Sequence, residues 1–158
     1  MQQPRGLIDA TIVTFDDLRV PKGGGADEVY VETRILIVDD SALVRDRLRE
    51  MLQQHPHWKV CGEAADGREA LEKVKNLEPD LIVLDFLMPR MDGLQAAREL
   101  GKIVPQIPIL MFSMHLSRQL IDEARNAGVR GAVPKSDARR LVEGAEAVLR
   151  NEPYFSPV

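Results

Sequence analysis

Five residues could carry chemistry in this chain: the adjacent carboxylates Asp39 and Asp40, a third carboxylate at Asp85, the hydroxyl of Ser113 and the amine of Lys135. Each follows a short apolar run. Arg34 to Val38 precedes Asp39, Leu81 to Leu84 precedes Asp85, Pro108 to Phe112 precedes Ser113, and Arg130 to Val133 stands just before Lys135. If those runs are parallel strands of one sheet, neighbouring strand ends lie roughly 5 Å apart and the three carboxylates share one crevice. Like charges held so close push up one another's pKa unless a cation neutralises them, and hard oxygen donors with room for water suit Mg²⁺. A lone Asp at a strand end more often caps a helix or faces water, but three on one edge favour metal binding. Alone, Ser113 would read as a loop hydroxyl and Lys135 as a solvated amine. On the shared edge they become donors for the oxygens of a phosphoryl group, and an Asp oxygen can attack phosphorus to give an acyl phosphate.

The elements that must position these groups are legible as alternating periods. From residue 34, β-rich runs alternate five times with amphipathic helical stretches, as a parallel sheet covered on both faces requires. Strand one is followed by a helix with an N-cap at Asp40 or Ser41 and a stripe of Val44, Leu48, Met51 and Leu52. Trp58 to Gly62 forms strand two, and Asp66-Gly67 turns the chain into a helix bearing Ala70, Leu71 and Val74. Leu81 to Leu84 is continuously apolar, hence central; the next helix carries Leu94, Ala97 and Leu100. Strands four and five, at Pro108 to Phe112 and Arg130 to Val133, flank a helix marked by Leu120, Ile121 and Ala124, and a last stripe runs through Leu141, Val142, Ala145, Val148 and Leu149. The expectation is an α/β fold, a doubly wound five-stranded parallel (βα)5 sheet with its ligands at the carboxyl ends of the strands.

Composition narrows the classes further. The 158 residues carry 21 Lys+Arg against 25 Asp+Glu, a net charge of −4, with 44% hydrophobic, 29% charged and 4% aromatic residues. That describes an ordinary globular chain with an aliphatic core. The acidic balance and scarce aromatics argue against a nucleic-acid partner for this chain. A single cysteine, Cys61, excludes an internal disulfide or a multi-Cys zinc site and points to a reducing compartment. No secretory signal or membrane-length apolar run is visible, so a cytoplasmic protein is expected. Residues 1–33 differ from the rest: Pro4, Pro21 and Gly23 to Gly25 break regular structure, and three basic against six acidic residues give this arm a net charge of −3. It reads as a flexible N-terminal extension, with a short strand or turn within Ile8 to Val20. His55 and His57 read as surface residues without metal, and Cys61 as a small buried hydrophobe.

The segments RILIVDDSALVRDRLREML, DLIVLDFLMPRMDG, PILMFSMH and GAVPKS resemble the receiver domain of bacterial response regulators, in the branch of the NarL/FixJ/LuxR-type regulators. The resemblance covers about residues 34–151 and implies the flavodoxin-like strand order 2-1-3-4-5. It implies that Asp85 is the phosphoacceptor and that Asp40 ligates Mg²⁺ directly. Asp39 would act largely through water, while Asp85 and the backbone carbonyl of Leu87 complete the protein ligands. Ser113 would hydrogen-bond the phosphoryl oxygen and Lys135 would pair with it. The implied partner is a sensor histidine kinase or phosphotransfer protein, and a homodimer through a helix face is a further one. Leu87, Met114 and His115 would stand at the pocket mouth, where side chains affect how fast water reaches an acyl phosphate. His115 reads as a loop histidine rather than a catalytic base.

One departure concerns coupling. Three residues before the strand-five Lys the family usually has Tyr or Phe, which rotates as the hydroxyl residue moves; here that switch position is Ala132. Three function classes follow. The leading one is a phosphorylatable switch that is not a turnover enzyme. A haloacid-dehalogenase-like phosphatase would want an acid two residues beyond the nucleophile, where this chain has Leu87. A phosphate-independent pseudo-receiver is the third. The tail from residue 152 to 158 is linker-like and resembles the segment that leads to a helix-turn-helix domain in the NarL-like branch. A receiver-only protein and the receiver half of a transcription regulator both stand open.

Overall fold

The computed structural model describes residues 30–157. The expectations for the N-terminal arm fall mostly on residues 1–29, outside the described residues. Five β/α rounds follow: β1 (Thr33–Val38), α1 (Ala42–Gln53), β2 (Trp58–Ala64), α2 (Gly67–Leu77), β3 (Leu81–Leu84), α3 (Gly93–Ile103), β4 (Ile109–Ser113), α4 (Arg118–Asn126), β5 (Gly131–Pro134) and α5 (Arg140–Leu149), with a 3₁₀ turn at Lys135–Asp137. The strands pair in parallel in the order β2-β1-β3-β4-β5, as expected for a flavodoxin-like receiver fold.

A sixth, minor strand extends that order. β6 (Tyr154–Phe155) pairs in parallel with the outer side of β5. The stretch that reads as linker-like thus contributes to the sheet because its two aromatics alternate across it. Tyr154 packs against the α1/α5 side and Phe155 against the opposite one.

Period-two alternation divides the core. Ile35, Ile37, Leu81, Val83, Leu110 and Phe112 face α1 and α5, where they meet Leu48, Leu52, Leu141 and Val148. Leu36, Val38, Ile82, Leu84 and Met111 face the other way, onto Val74 of α2, Leu100 of α3 and Ile121 of α4. Both faces are apolar, so the central strands are buried throughout.

Local signals set the helix starts. Ser41, rather than Asp40, caps α1, its hydroxyl accepting the Val44 N–H at 3.3 Å. Asp66, Asp92 and Ser117 cap α2, α3 and α4 in the same way. The register of β1 and β2 shifts between Ile35 and Leu36, where Cys61 is the extra residue. Cys61 is consequently only half-buried, not the core hydrophobe its sequence setting suggests. His57 is exposed, while His55 stacks on Trp58 with ring centroids 3.8 Å apart and meets Glu146 of α5 at 3.2 Å.

Candidate functional site

The sheet reverses its winding between β1 and β3, and the residues just past those two strands are Asp39 and Asp85. Their backbones continue the ladder: the Asp39 N–H donates to the Ala64 carbonyl at 3.0 Å and the Asp85 N–H to that of Val38 at 2.9 Å. Both carboxylates are therefore fixed at the sheet edge, 1% and 6% exposed. Asp40, next to the α1 cap, is exposed. Oxygens of Asp39, Asp40 and Asp85 lie within 4.8 Å of one another.

Lys135 reaches this cluster from the turn after β5. Its Nζ donates to Asp39 Oδ2 at 2.7 Å and stands 3.3 Å from Asp85 Oδ1. Asp39 Oδ1 accepts the Ser41 N–H at 2.9 Å, so each of its oxygens has a donor. Asp85 is served less well: its Oδ1 accepts the Phe86 N–H at 2.8 Å and shares the longer Lys135 contact. Burial, and then the charge of Asp39, raise the pKa of Asp85, which Lys135 offsets only in part. Burial works against the Lys135 ammonium, yet the hydrogen bond to Asp39 and the charges of Asp85 and Asp39 prevail and raise its pKa. The lysine is thus held as a cation between two acids.

Ser113, at the end of β4, is buried, and its hydroxyl accepts the His115 N–H at 3.2 Å. Register places it opposite Pro134, the residue before Lys135. Around this crevice Leu43, Leu87 and Met114 are exposed at 61%, 53% and 64%, so three elements that border the carboxylates each present an apolar side chain to solvent. His115 is exposed as expected, and Ala132 is fully buried.

Three contacts support the site; those of Arg45 and Arg90 are invisible in the motifs, whereas the turn at Gly93 closes the segment DLIVLDFLMPRMDG. Arg45 donates to the Asp39 carbonyl at 2.7 Å from the first turn of α1. Gly93 permits the tight return after Asp85: its N–H donates to the Phe86 carbonyl at 2.8 Å, and a Cβ there would collide with the Asp85 carbonyl oxygen. Arg90, in the left-handed region at φ 66°, binds Asp66 Oδ2 through Nε at 2.9 Å and through Nη2, tying the loop after β3 to the start of α2. The Asp-x-x-Glu pattern at Asp66 signals a helix start: Asp66 accepts the Glu69 N–H, and the Glu69 carboxylate accepts the N–H of Ala65, one residue before the cap. Nothing in sequence signals the Arg90 partner.

A carboxylate cluster, a bridging lysine and a buried strand-end hydroxyl on one parallel sheet agree with what the chain matches. The model of the response regulator receiver domain family matches residues 35–146. The chain belongs to that family. Receiver domains are signalling modules that interact with histidine kinases. The chain is 38% identical over 118 residues to the chemotaxis protein CheY of Thermotoga maritima, covering 74% of this chain and 98% of that one. It is 44% identical over 108 residues to a protein-glutamate methylesterase/protein-glutamine glutaminase of Alkalilimnicola ehrlichii, covering 66% of this chain but only 27% of that protein. Among solved structures, a LuxR-family two-component response regulator from Aurantimonas sp. superposes with a TM-score of 0.77 at 35% identity, over 80% of this receiver chain and 91% of the other. Among the described residues no helix is long and apolar enough to cross a membrane.

Proposed function

We propose that this receiver domain is a cytoplasmic phosphorylation switch: Asp85 accepts a phosphoryl group from the histidine of a sensor kinase or phosphotransfer protein, and the acyl phosphate changes the chain's affinity for a partner or a second copy. The observation that carries this is the convergence of Asp39, Asp40 and Asp85 with Lys135 bridging two of them. Oδ1 of Asp85 already accepts the Phe86 N–H, which leaves Oδ2 to attack phosphorus as the bond to the donor's imidazole nitrogen breaks and the imidazole departs. Three hard oxygen donors, one of them open to solvent, fit Mg²⁺, which would be held by Asp40, Asp85 and the Leu87 carbonyl and would neutralise charge on the phosphoryl oxygens. Both oxygens of Asp39 are engaged by protein donors, which supports its acting through water. Lys135 then stands ready to pair with a phosphoryl oxygen, and Ser113 can exchange its His115 contact for another. The apolar Leu43, Leu87 and Met114 suit the approach of a partner helix carrying the donor histidine.

The test is intact mass after incubation with Mg²⁺ and a small phosphodonor such as acetyl phosphate. One phosphoryl adduct is expected, lost in Asp85→Asn. An adduct that survives that substitution moves the acceptor elsewhere, and rapid turnover of an aryl phosphate restores the phosphatase reading. Equal partner binding with and without beryllofluoride supports a phosphate-independent module, the reading that Ala132 favours.

A further inference from the structure

A two-residue strand is a marginal element, yet β6 is clasped from both faces of the sheet. On one side the Tyr154 hydroxyl donates to Glu143 of α5 at 3.0 Å. On the other, Phe155 packs against the cluster beneath α3 and α4, and the Arg125 guanidinium of α4 lies 4.1 Å from its ring centroid. The Tyr154 and Ser156 N–H groups donate to the carbonyls of Arg130 and Ala132 at 3.1 and 3.0 Å. Docking has a cost, however: the Ser156 hydroxyl oxygen is buried with no hydrogen-bond partner, and release would hydrate it.

Register connects this strand to the acidic site. Val38, Leu84, Met111, Ala132 and Phe155 form one transverse row across β1, β3, β4, β5 and β6. The first four belong to one buried core cluster against which Phe155 packs, and the residues that follow the first two are Asp39 and Asp85. Ala132 contributes only a methyl group, so Phe155 is the aromatic of the outer half of the row. A second route runs along the chain. Ser113, on the same side of β4 as Met111, leads through a short loop to the Ser117 cap of α4, whose last turn holds Arg125 over Phe155.

We propose that Phe155 couples the acidic site to the outer edge of the sheet: when a phosphoryl group on Asp85 draws in the Ser113 hydroxyl, α4 moves with its loop, Arg125 leaves the Phe155 ring and β6 loosens from β5. This rests on Asp85 as the phosphoacceptor. Two faces respond together, because β6 is held by α4 and α5 at once. Phe155 touches no reacting atom and acts as a positioning residue.

The full chain is loaded with Mg²⁺ and beryllofluoride, complex formation is read by native mass spectrometry, and amide hydrogen exchange is followed over residues 118–126 and 152–157. Loading should speed exchange over 152–157 at least threefold. Arg125→Ala and Phe155→Ala should show that faster exchange without loading, and Phe155→Ala should still form the complex. Phe155→Leu keeps apolar packing without the ring; adding Arg125→Ala to it should change exchange no further. If the complex forms and exchange over 152–157 is unchanged, the coupling is refuted while the acceptor role stands. If no complex forms, or if it forms equally in Asp85→Asn, the acceptor reading and this coupling fall together.

Discussion

Lys135 serves two buried carboxylates at unequal distances, and the difference makes Asp85 the less stabilised acid of the pair. Because burial and Asp39 raise its pKa, ionised Asp85 weakens the fold at neutral pH, and stability is recovered as pH falls through the raised value. Asp85→Asn should therefore raise Tm by roughly 2–4 °C, the shift that about 1 kcal/mol produces in a domain of this size. The same variant should accept no phosphoryl group, a reactive residue traded against stability. Lys135→Ala removes the cation from both acids and should cost about 3 kcal/mol in urea unfolding, with Mg²⁺ recovering part of the loss. It should still accept a phosphoryl group but show little of the wild-type change in mobility or dimerisation. An unchanged response would refute the role given to Lys135.

The acidic loop is steadied at the level of elements by Asp66, which caps α2 through the Glu69 N–H and holds Arg90 in the loop after β3. Its carboxyl pKa is lowered by the bond to the Glu69 N–H first and by Arg90 next. That contribution is complete above the ordinary carboxylate range and is lost as pH falls through the lowered value. Asp66→Ala should cost about 1–2 kcal/mol in urea unfolding, Asp66→Asn less because an amide can still cap, and both differences should shrink in acid. These elements also show what the sequence could reveal. Strands one to five were legible because apolar runs of strand length alternate with helical stripes, and Asp39, Asp40, Asp85 and Lys135 because each stands where a run ends. Tyr154 and Phe155 were not: two residues carry no period, and Pro153 reads as a stop. The Arg90 to Asp66 tie spans 24 residues and arises from tertiary placement alone. Cys61 looked buried because its neighbours are apolar, but a register shift takes it out of the alternation.

Across the whole molecule, a net charge of −4 matters less than the gathering of three carboxylates at one sheet edge. Any cation that binds there binds only the folded chain, so Mg²⁺ at about a hundredfold excess over its Kd should add about 2.7 kcal/mol. A differential scanning experiment should show Tm rising by roughly 5–10 °C, reversed by EDTA and much smaller in Asp40→Asn. No rise in the wild type would remove the metal from the mechanism. The sixth strand has a consequence of another kind. Without it, β5 would offer a row of unpaired amides and carbonyls to any other extended chain, the usual template for edge-to-edge aggregation. Two residues are enough to cover that template and too few to form a new one. A chain truncated after Pro153 should keep its five-stranded body but grow turbid at concentrations where the intact chain stays clear.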